Sequence, residues 1–154
     1  MKTSAGILLF KREEGNFFYF LVHPGGPFWK NKDLGAWSIP KGEVSEGENL
    51  LERAKIEFEE ETGKGVDGDF IELKPIRQKA GKTVFAWAVE GDIETYDMKS
   101  NVITIDWPPK SGKTIEIPEL NRWEWFSSDE AKKRINPAQA GFILQLEELL
   151  SAQK

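Results

Sequence analysis

Two apolar segments near the start of the chain are separated by a short polar one. Residues 4–10 (SAGILLF) and 17–23 (FFYFLVH) are rich in aliphatic and aromatic side chains, and the segment between them contains Gly15 and Asn16. Apolar runs of this length, joined by residues that favour turns, are typical of a β-hairpin. The sequence therefore predicts that the fold begins with two antiparallel strands.

A helical periodicity follows between Glu48 and Gly63. The apolar positions that recur at helical spacing are Leu50, Leu51, Ala54 and Phe58. We expect Ser45 or Gly47 to begin the helix, since both residue types are favoured at helix N-caps. We expect Gly63 to end it, because glycine readily adopts the left-handed conformation of a C-cap.

The rest of the chain continues with strand and helix signals. We expect strands at 69–78, 82–91, 101–107 and 122–127, and helices over 129–135 and from Pro137 to about Leu150. Ser127 or Ser128 is expected to cap the first of these helices. Segments 24–36 and 107–118 are rich in Gly and Pro and are predicted to be loops. This order of elements predicts an α/β fold in one domain over residues 1–154.

Composition narrows the classes of function. The chain of 154 residues has no cysteine and one histidine, which excludes a thiolate or histidine-based zinc site, so any metal must be bound by oxygen. The net charge of −5 argues against a nucleic-acid backbone as the main partner. A small polyanionic substrate would need metal ions between its phosphates and the acidic groups of the protein.

The sequence also bears on location. The apolar stretch AGILLF is too short to cross a bilayer, and no secretion signal precedes it. We therefore predict a cytoplasmic protein without a membrane partner. The sequence leaves both a monomer and a homodimer open.

Three acidic residues in the predicted helix are candidate metal ligands. Glu57, Glu60 and Glu61 are three and four positions apart, so a helix places their carboxylates on one side. Like charges at this spacing repel one another unless they are solvated or share a cation. An exposed acidic helix face is one interpretation, and a Mg²⁺ or Mn²⁺ site with oxygen ligands is the other.

The spacing from Gly42 onward resembles the signature of the Nudix hydrolases, G-x5-E-x7-R-E-U-x-E-E-x-G-U, where U is apolar. The matching positions are Gly42, Glu48, Glu57, Phe58, Glu60, Glu61 and Gly63. Two positions differ, since Ile56 stands where the family has arginine and Lys64 where it has an apolar residue. The resemblance implies a Nudix α/β/α sandwich with a mixed β-sheet, the signature loop and helix, and a C-terminal helix.

The resemblance also implies a chemistry. Nudix enzymes hydrolyse a diphosphate linked to another group, using water and divalent metal ions, here Mg²⁺ with Mn²⁺ as the alternative. It implies metal ligation by Glu57, Glu60, Glu61 and the Lys41 carbonyl. The structural positions of the signature are Gly42, Glu48 and Gly63, and Arg53 is predicted to replace the missing arginine as an i,i+4 partner of Glu57.

The general base is left open by the sequence. Glu119, six residues before Trp125, lies at a spacing that looks like that of the family's extra glutamate, and it is our first candidate. Glu116 and Glu124 are competitors, and Glu57 or Glu60 is predicted to act as the base if none of them does.

Other residues are candidates for contacts with the substrate. Lys41 and Arg77 are predicted to contact phosphate, and Trp37, with Phe28 and Trp29, to stack on a base. His23 is predicted to be structural or a substrate contact.

The segment around Lys41 also indicates a substrate class. WSIPKGEVSEGE resembles the version of the signature found in Nudix enzymes that act on diadenosine tetraphosphate and related nucleoside polyphosphates. The predicted substrate is therefore a dinucleoside polyphosphate or a nucleoside triphosphate. Hydrolysis of oxidised nucleotides such as 8-oxo-dGTP, and nucleotide binding without catalysis, are the alternatives.

Overall fold

The structure, a computed structural model, describes residues 2–78, 81–95, 98 and 101–151, and the other positions of the predicted domain over 1–154 lie outside the described residues. Its strands are β1 (Thr3–Glu13), β2 (Asn16–Pro24), β3 (Lys41–Glu43), β4 (Ile71–Glu72), β5 (Ile76–Arg77), β6 (Thr83–Glu90), β7 (Val102–Asp106), β8 (Thr114–Pro118) and β9 (Leu120–Ser127). Its helices are α1 (Leu50–Thr62), α2 (Ser128–Arg134) and α3 (Ala140–Ser151), with a 3-10 turn at Pro137–Gln139. Within these ranges, no helix has the length and apolar character that crossing a membrane requires.

Seven strands form one mixed sheet. The main order is β4-β6-β1-β2-β9, with β5 also paired to β6 and β3 to β1. The pair β1 and β6 is parallel, whereas the other pairs are antiparallel. Strands β7 and β8 form a separate two-stranded hairpin. The predicted initial hairpin and the mixed α/β architecture are therefore confirmed.

Both faces of the sheet are buried, which explains the uninterrupted apolar runs of the first two strands. In β1, Ile7 and Leu9 pack on one face against Ala54 and Phe58 of α1. The intervening residues of β1 pack on the other face with Ala131 of α2 and with the buried side of α3. The sheet is therefore sandwiched between α1 and the pair α2 and α3, as the fold prediction required.

The signature helix ends where it was predicted to end but begins later. Gly63 adopts φ 78°, and its N–H donates to the carbonyl of Glu59. The N-cap is Asn49, whose side chain accepts from the N–H of Glu52 at 3.0 Å. The prediction of Ser45 or Gly47 as the entry was wrong, because an asparagine next to the first helical residue supplies a better-placed acceptor.

The predicted loop over 107–118 is wrong in its second half. Strand β8 pairs with β7, with Ile103 opposite Ile117 and Ile105 opposite Ile115. The alternating isoleucines of TIEI are a strand signal that the nearby Pro and Gly residues concealed.

The predicted strand over 69–78 is interrupted. Two short strands, β4 and β5, pair with different parts of β6, and Pro75 lies between them. Proline has no backbone N–H to donate to a neighbouring strand, which accounts for the break.

Helix α3 supplies a test of the core. We expect Leu146→Ala to lower the free energy of unfolding by about 2–5 kcal/mol, because Leu146 is fully buried and its removal leaves a cavity. Leu144→Ala on the same helix, where the side chain is 55% exposed, is the matched control and should change little. Urea unfolding followed by circular dichroism measures both. Equal losses in the two variants would contradict the assigned packing face of α3.

Candidate active site

Two glutamates of helix α1 have side chains that are shielded from solvent. Glu61 is 4% exposed, and the side chain of Glu57, one turn earlier, is mostly buried as well. Glu60, between them in sequence, is exposed. The predicted acidic set is therefore divided into two shielded carboxylates and one that faces solvent.

Gly42 makes room for the first of these carboxylates. It lies in β3 opposite Ala5, directly against the side chain of Glu57. A Cβ atom on residue 42 would lie 2.5 Å from Oε1 of Glu57 and closer still to its Cδ. Any side chain at this position would therefore displace the Glu57 carboxylate.

Glu61 has a buried oxygen that lacks a partner. Its Oε2 finds no hydrogen bond among the described residues. Burial raises the pKa of Glu61 well above its usual range, the negative charges of Glu119 and Glu57 raise it further, and Lys41 opposes the shift. A buried carboxylate with an unused oxygen and carboxylate neighbours is a suitable place for a cation, so the donor set fits an oxygen-bound divalent metal.

Glu57 belongs to the same electrostatic environment. Burial raises its pKa, followed by the charge of Glu60, and the charge of Glu119 acts in the same direction. Arg53 lowers the pKa of Glu57. Glu60 and Glu119 are therefore close enough to Glu57 for their charges to raise its pKa.

Glu119 links β8 to β9 at the edge of this cluster. Its N–H donates to the carbonyl of Asn101 at 2.9 Å, and its own carbonyl accepts from the N–H of Gly25 at 2.8 Å. A cavity of about 200 Å³ adjoins it, and the residues around that cavity are Val22, Pro24, Ser38, Ile39, Lys41, Glu61, Glu119 and Leu120. Of the competing candidates, Glu116 is exposed on β8 and Glu124 pairs with Arg122 on the surface of β9.

The carboxylates are near one another without forming a complete metal shell. In residues 2–78, 81–95, 98 and 101–151, no three acidic or histidine side chains converge closely enough to hold an ion by themselves. The predicted set of Glu57, Glu60 and Glu61 is therefore not preassembled, and water or backbone oxygen would have to complete it.

Arg53 occupies the space beside the signature carboxylates. Its Nη1 lies 3.5 Å from Oε1 of Glu57, and its Nε donates to Oε2 of Glu48 at 2.9 Å. Glu48 in turn accepts from the N–H of Ser45 at 2.7 Å. Ile56, at the position of the family's arginine, is 43% exposed. Arg53 thus joins the loop before α1 to a shielded carboxylate on the helix.

This arrangement predicts the effect of removing Arg53. We expect Arg53→Ala to lower metal affinity or turnover by about 10-fold or more, in the range found when a partner that orients a metal ligand is lost. Lys55→Ala is the matched control, because Lys55 pairs with exposed Glu52 on the same helix. Magnesium titration of the hydrolysis rate measures both. Identical titrations for Arg53→Ala and the wild type would show that Arg53 is an ordinary surface residue.

Lys82, which lies close to Lys41, was missed by the sequence reasoning. The pKa of Lys41 is lowered to about 8, first by burial and next by the positive charge of Lys82. Lys82 lies directly before β6, which pairs in parallel with β1, while Lys41 lies in β3 on the other side of β1. No local signal marks Lys82, because only the sheet brings the two lysines together.

The predicted contact of Trp37 with a base is wrong, and for His23 the structure supports the structural alternative. Trp37 is 0% exposed, its Nε1–H donates to Asp33 at 2.7 Å, and its ring packs edge-on against Phe126. It is a core residue and offers no face for a base. His23 is also buried, and its Nδ1 and Nε2 contact the Asn121 side chain at 2.9 Å and the Lys32 carbonyl at 2.6 Å. It positions a loop and has no ring nitrogen left for a substrate.

Arg77 is the remaining residue that was predicted to contact the substrate. Arg77 is exposed on β5, opposite Thr83 of β6. Its contact with phosphate stays a prediction.

Comparison with known families decides the classification of this chain. The family model of the NUDIX domain matches residues 1–146. The chain belongs to the NUDIX family. This NUDIX protein carries the signature residues on the elements described above, so the family resemblance seen in the sequence is confirmed.

Its curated relatives are hydrolases with different names. The chain is 39% identical over 69 residues to the asymmetrical bis(5'-nucleosyl)-tetraphosphatase of Rattus norvegicus, covering 41% of this chain and 46% of that protein. It is 28% identical over 119 residues to RNA pyrophosphohydrolase of Erythrobacter litoralis, covering 70% and 68%. It is 34% identical over 86 residues to Nudix hydrolase 6 of Arabidopsis thaliana, covering 51% of this chain and 30% of that protein. This NUDIX protein therefore spans less than half the length of two of these relatives.

Solved structures confirm the fold. A binary complex of C. elegans Ap4A hydrolase has a TM-score of 0.67 at 17% identity, with 99% of each chain covered. The NUDIX domain of Shewanella oneidensis NrtR complexed with ADP ribose has a TM-score of 0.66 at 16% identity, covering 96% of this chain and 87% of that one. At these identities the similarity concerns the architecture alone.

Proposed function

We propose that this NUDIX protein is a metal-dependent pyrophosphohydrolase that cleaves a diphosphate bond in a nucleoside polyphosphate, by attack of water on phosphorus. Diadenosine tetraphosphate or a nucleoside triphosphate is the proposed substrate. The observation that carries the proposal is the buried carboxylate of Glu61, whose Oε2 has no partner among the described residues and which lies within the electrostatic reach of Glu57 and Glu119.

The proposed metal ligands are Glu57, Glu60, Glu61 and the Lys41 carbonyl, with Mg²⁺ as the ion and Mn²⁺ as its alternative, since both prefer oxygen ligands. A divalent ion bound there would shield the phosphate oxygens and lower the pKa of the attacking water. Without such shielding, a cluster of carboxylates would repel a polyphosphate.

The other side chains near the proposed metal site have separate proposed roles. Glu119 adjoins the same cavity as Glu61 and is the proposed general base, which accepts the proton of the attacking water. The ammonium groups of Lys41 and Lys82 provide positive charge for the phosphate chain. Arg53 holds Glu57 in place through its Nη1, which lies 3.5 Å from Oε1 of Glu57.

Two observations favour a nucleoside polyphosphate as the substrate. Part of the chain is similar to a tetraphosphatase that acts on bis(5'-nucleosyl) substrates. Lys41 precedes the signature glycine and lies near Glu61 and Glu119, and Lys82 lies close to Lys41. Two cations in this position suit a phosphate chain longer than a diphosphate.

A substrate panel tests the proposal. Phosphate or nucleotide release is measured with diadenosine tetraphosphate, ATP, 8-oxo-dGTP, ADP-ribose and 5'-triphosphorylated RNA, each with magnesium and with EDTA. We expect magnesium-dependent cleavage with the highest kcat/KM for diadenosine tetraphosphate or ATP. Preference for 8-oxo-dGTP would indicate sanitation of oxidised nucleotides, and tight binding without cleavage would indicate a sensor. Either result would contradict the proposed function.

A further inference from the structure

The loop between β2 and Trp37 presents an aromatic surface that the core does not use. Phe28 is 55% exposed, and its ring meets that of Trp29 edge-on, with centroids 5.0 Å apart. The Nζ atom of Lys32 lies 3.7 Å from the Phe28 centroid and 5.4 Å from that of Trp29. Phe28, Trp29 and Lys32 are called the aromatic tip below.

The aromatic tip is held from both of its ends. Before it, the N–H of Gly25 donates to the carbonyl of Glu119 at 2.8 Å. After it, the Lys32 carbonyl accepts from Nε2 of buried His23 at 2.6 Å, and Asp33 accepts from Arg134. Phe28 thus stays mostly exposed on a loop that is anchored at both ends, so its ring is available to a ligand.

The loop that carries the aromatic tip starts beside the cavity of the candidate active site. Pro24 adjoins the same cavity as Glu61 and Glu119. Gly25, the next residue, is packed so closely on the carbonyl of Pro118 that a Cβ atom would overlap it. Phe28 is three residues further on, which is at most about 10 Å of extended chain. The aromatic tip therefore lies within about 10 Å of Gly25, which is packed beside the candidate site.

The hairpin of β7 and β8 forms a second wall beside the same loop. Ile117 and Ile105 lie over Gly26, where a Cβ atom would be 2.6 Å and 3.9 Å from their Cδ1 atoms. Ile115, opposite Ile105 in the register, is 37% exposed on this side of the hairpin. The hairpin is also close to the site, because the N–H of Glu119 donates to the carbonyl of Asn101, the residue before β7. Apolar side chains and aromatic rings thus flank one region next to Glu119.

We infer that the aromatic tip is the subsite for a nucleobase of the substrate, with the base stacked on the ring of Phe28 and Trp29 lying edge-on to that ring. A flat heterocycle gains from stacking on aromatic side chains, and the ammonium of Lys32 at the same surface attracts the phosphate that the nucleoside carries. The inference rests on the proposed function, and it moves base recognition from buried Trp37 to this exposed loop.

Variants of the loop test the inference. Phe28→Ala removes the ring, Phe28→Tyr keeps it, and Leu34→Ala is the control, since Leu34 is an exposed aliphatic residue of the same loop. For each variant, the Kd of AMP and of ATP is measured by calorimetry in EDTA, and KM and kcat are measured for diadenosine tetraphosphate and for inorganic tripolyphosphate. We expect Phe28→Ala to raise Kd and KM for the nucleotides by roughly 10-fold, with kcat within about twofold, as stacking on a single base predicts. Phe28→Tyr and Leu34→Ala should match the wild type, and tripolyphosphate should show no difference.

Three results would overturn the inference. The first is an unchanged nucleotide Kd in Phe28→Ala, and the second is an equal loss with tripolyphosphate, which has no base. The third is tighter binding of a short single-stranded RNA than of ATP, abolished by Phe28→Ala, which would assign the surface to nucleic acid. The AMP measurement requires no chemistry, so it separates failure of this subsite from failure of the proposed hydrolysis.

Discussion

The variant Glu61→Gln is expected to fold normally and to lose metal-dependent hydrolysis by about 100-fold or more, which corresponds to about 2.7 kcal/mol of transition-state stabilisation. Glutamine keeps the shape of the side chain but removes the charge from the one carboxylate of the cluster that is buried with an unused oxygen. Initial rates over a magnesium series measure the effect. Glu59→Gln is the control, because Glu59 is exposed on the same helix. Full activity of Glu61→Gln would defeat the assignment of Glu61 as a metal ligand.

The same variant makes a prediction about stability and pH. Burial raises the pKa of Glu61, so the folded state holds its proton more tightly than the unfolded state does. Such a group adds stability below its unfolded pKa and loses that contribution as the pH rises through its folded value. In EDTA, the wild type should therefore lose stability between mildly acidic and alkaline pH more steeply than Glu61→Gln. Thermal unfolding over a pH series measures the difference, and parallel curves would show that Glu61 does not carry a buried charge.

The second large effect is expected for Gly42→Ala. The added methyl group would occupy the position of the Glu57 carboxylate, which must then move away from the site. Because the end of a flexible side chain can move aside, we expect a loss of stability of about 1 kcal/mol or less but a fall in turnover of about 10- to 100-fold. Turnover at saturating magnesium and urea unfolding measure the two quantities.

A matched glycine provides the control for that prediction. Gly65→Ala should leave both quantities unchanged, since a Cβ atom there would meet only Oε2 of Glu59 at 3.8 Å. Normal turnover in Gly42→Ala would show that the exact position of Glu57 is not required. A large loss of stability would show that the cost of the methyl group falls on the fold instead.

Local sequence signals were enough to predict much of the architecture. The hairpin turn at Gly15 and the C-cap at Gly63 depend on the left-handed backbone that both residues adopt. The apolar stripe with Phe58 was visible from its period alone. Strand β8 was missed because its isoleucines follow a segment dense in turn residues, and its pairing with β7 is a contact between separate parts of the chain.

The candidate site was predictable only where its residues share one element. Helical spacing placed Glu57 near Glu61, and Arg53 near Glu57, without any knowledge of the sheet. The burial of Trp37 depends on contacts with β9 and with the end of α2, which its own neighbours in sequence do not reveal. The approach of Lys82 to Lys41 likewise depends on how the strands are ordered.

Hydrolysis of diadenosine tetraphosphate in water enriched in oxygen-18 tests the central claim most directly. Products are analysed by mass spectrometry after incubation with magnesium and, in parallel, with EDTA. The proposed function predicts cleavage only with magnesium, and one oxygen-18 atom on a phosphate of one product for each bond broken. Cleavage at the same rate in EDTA, or nucleotide binding without any cleavage, would contradict the account of Glu57, Glu61 and Glu119 as a metal-dependent hydrolytic site.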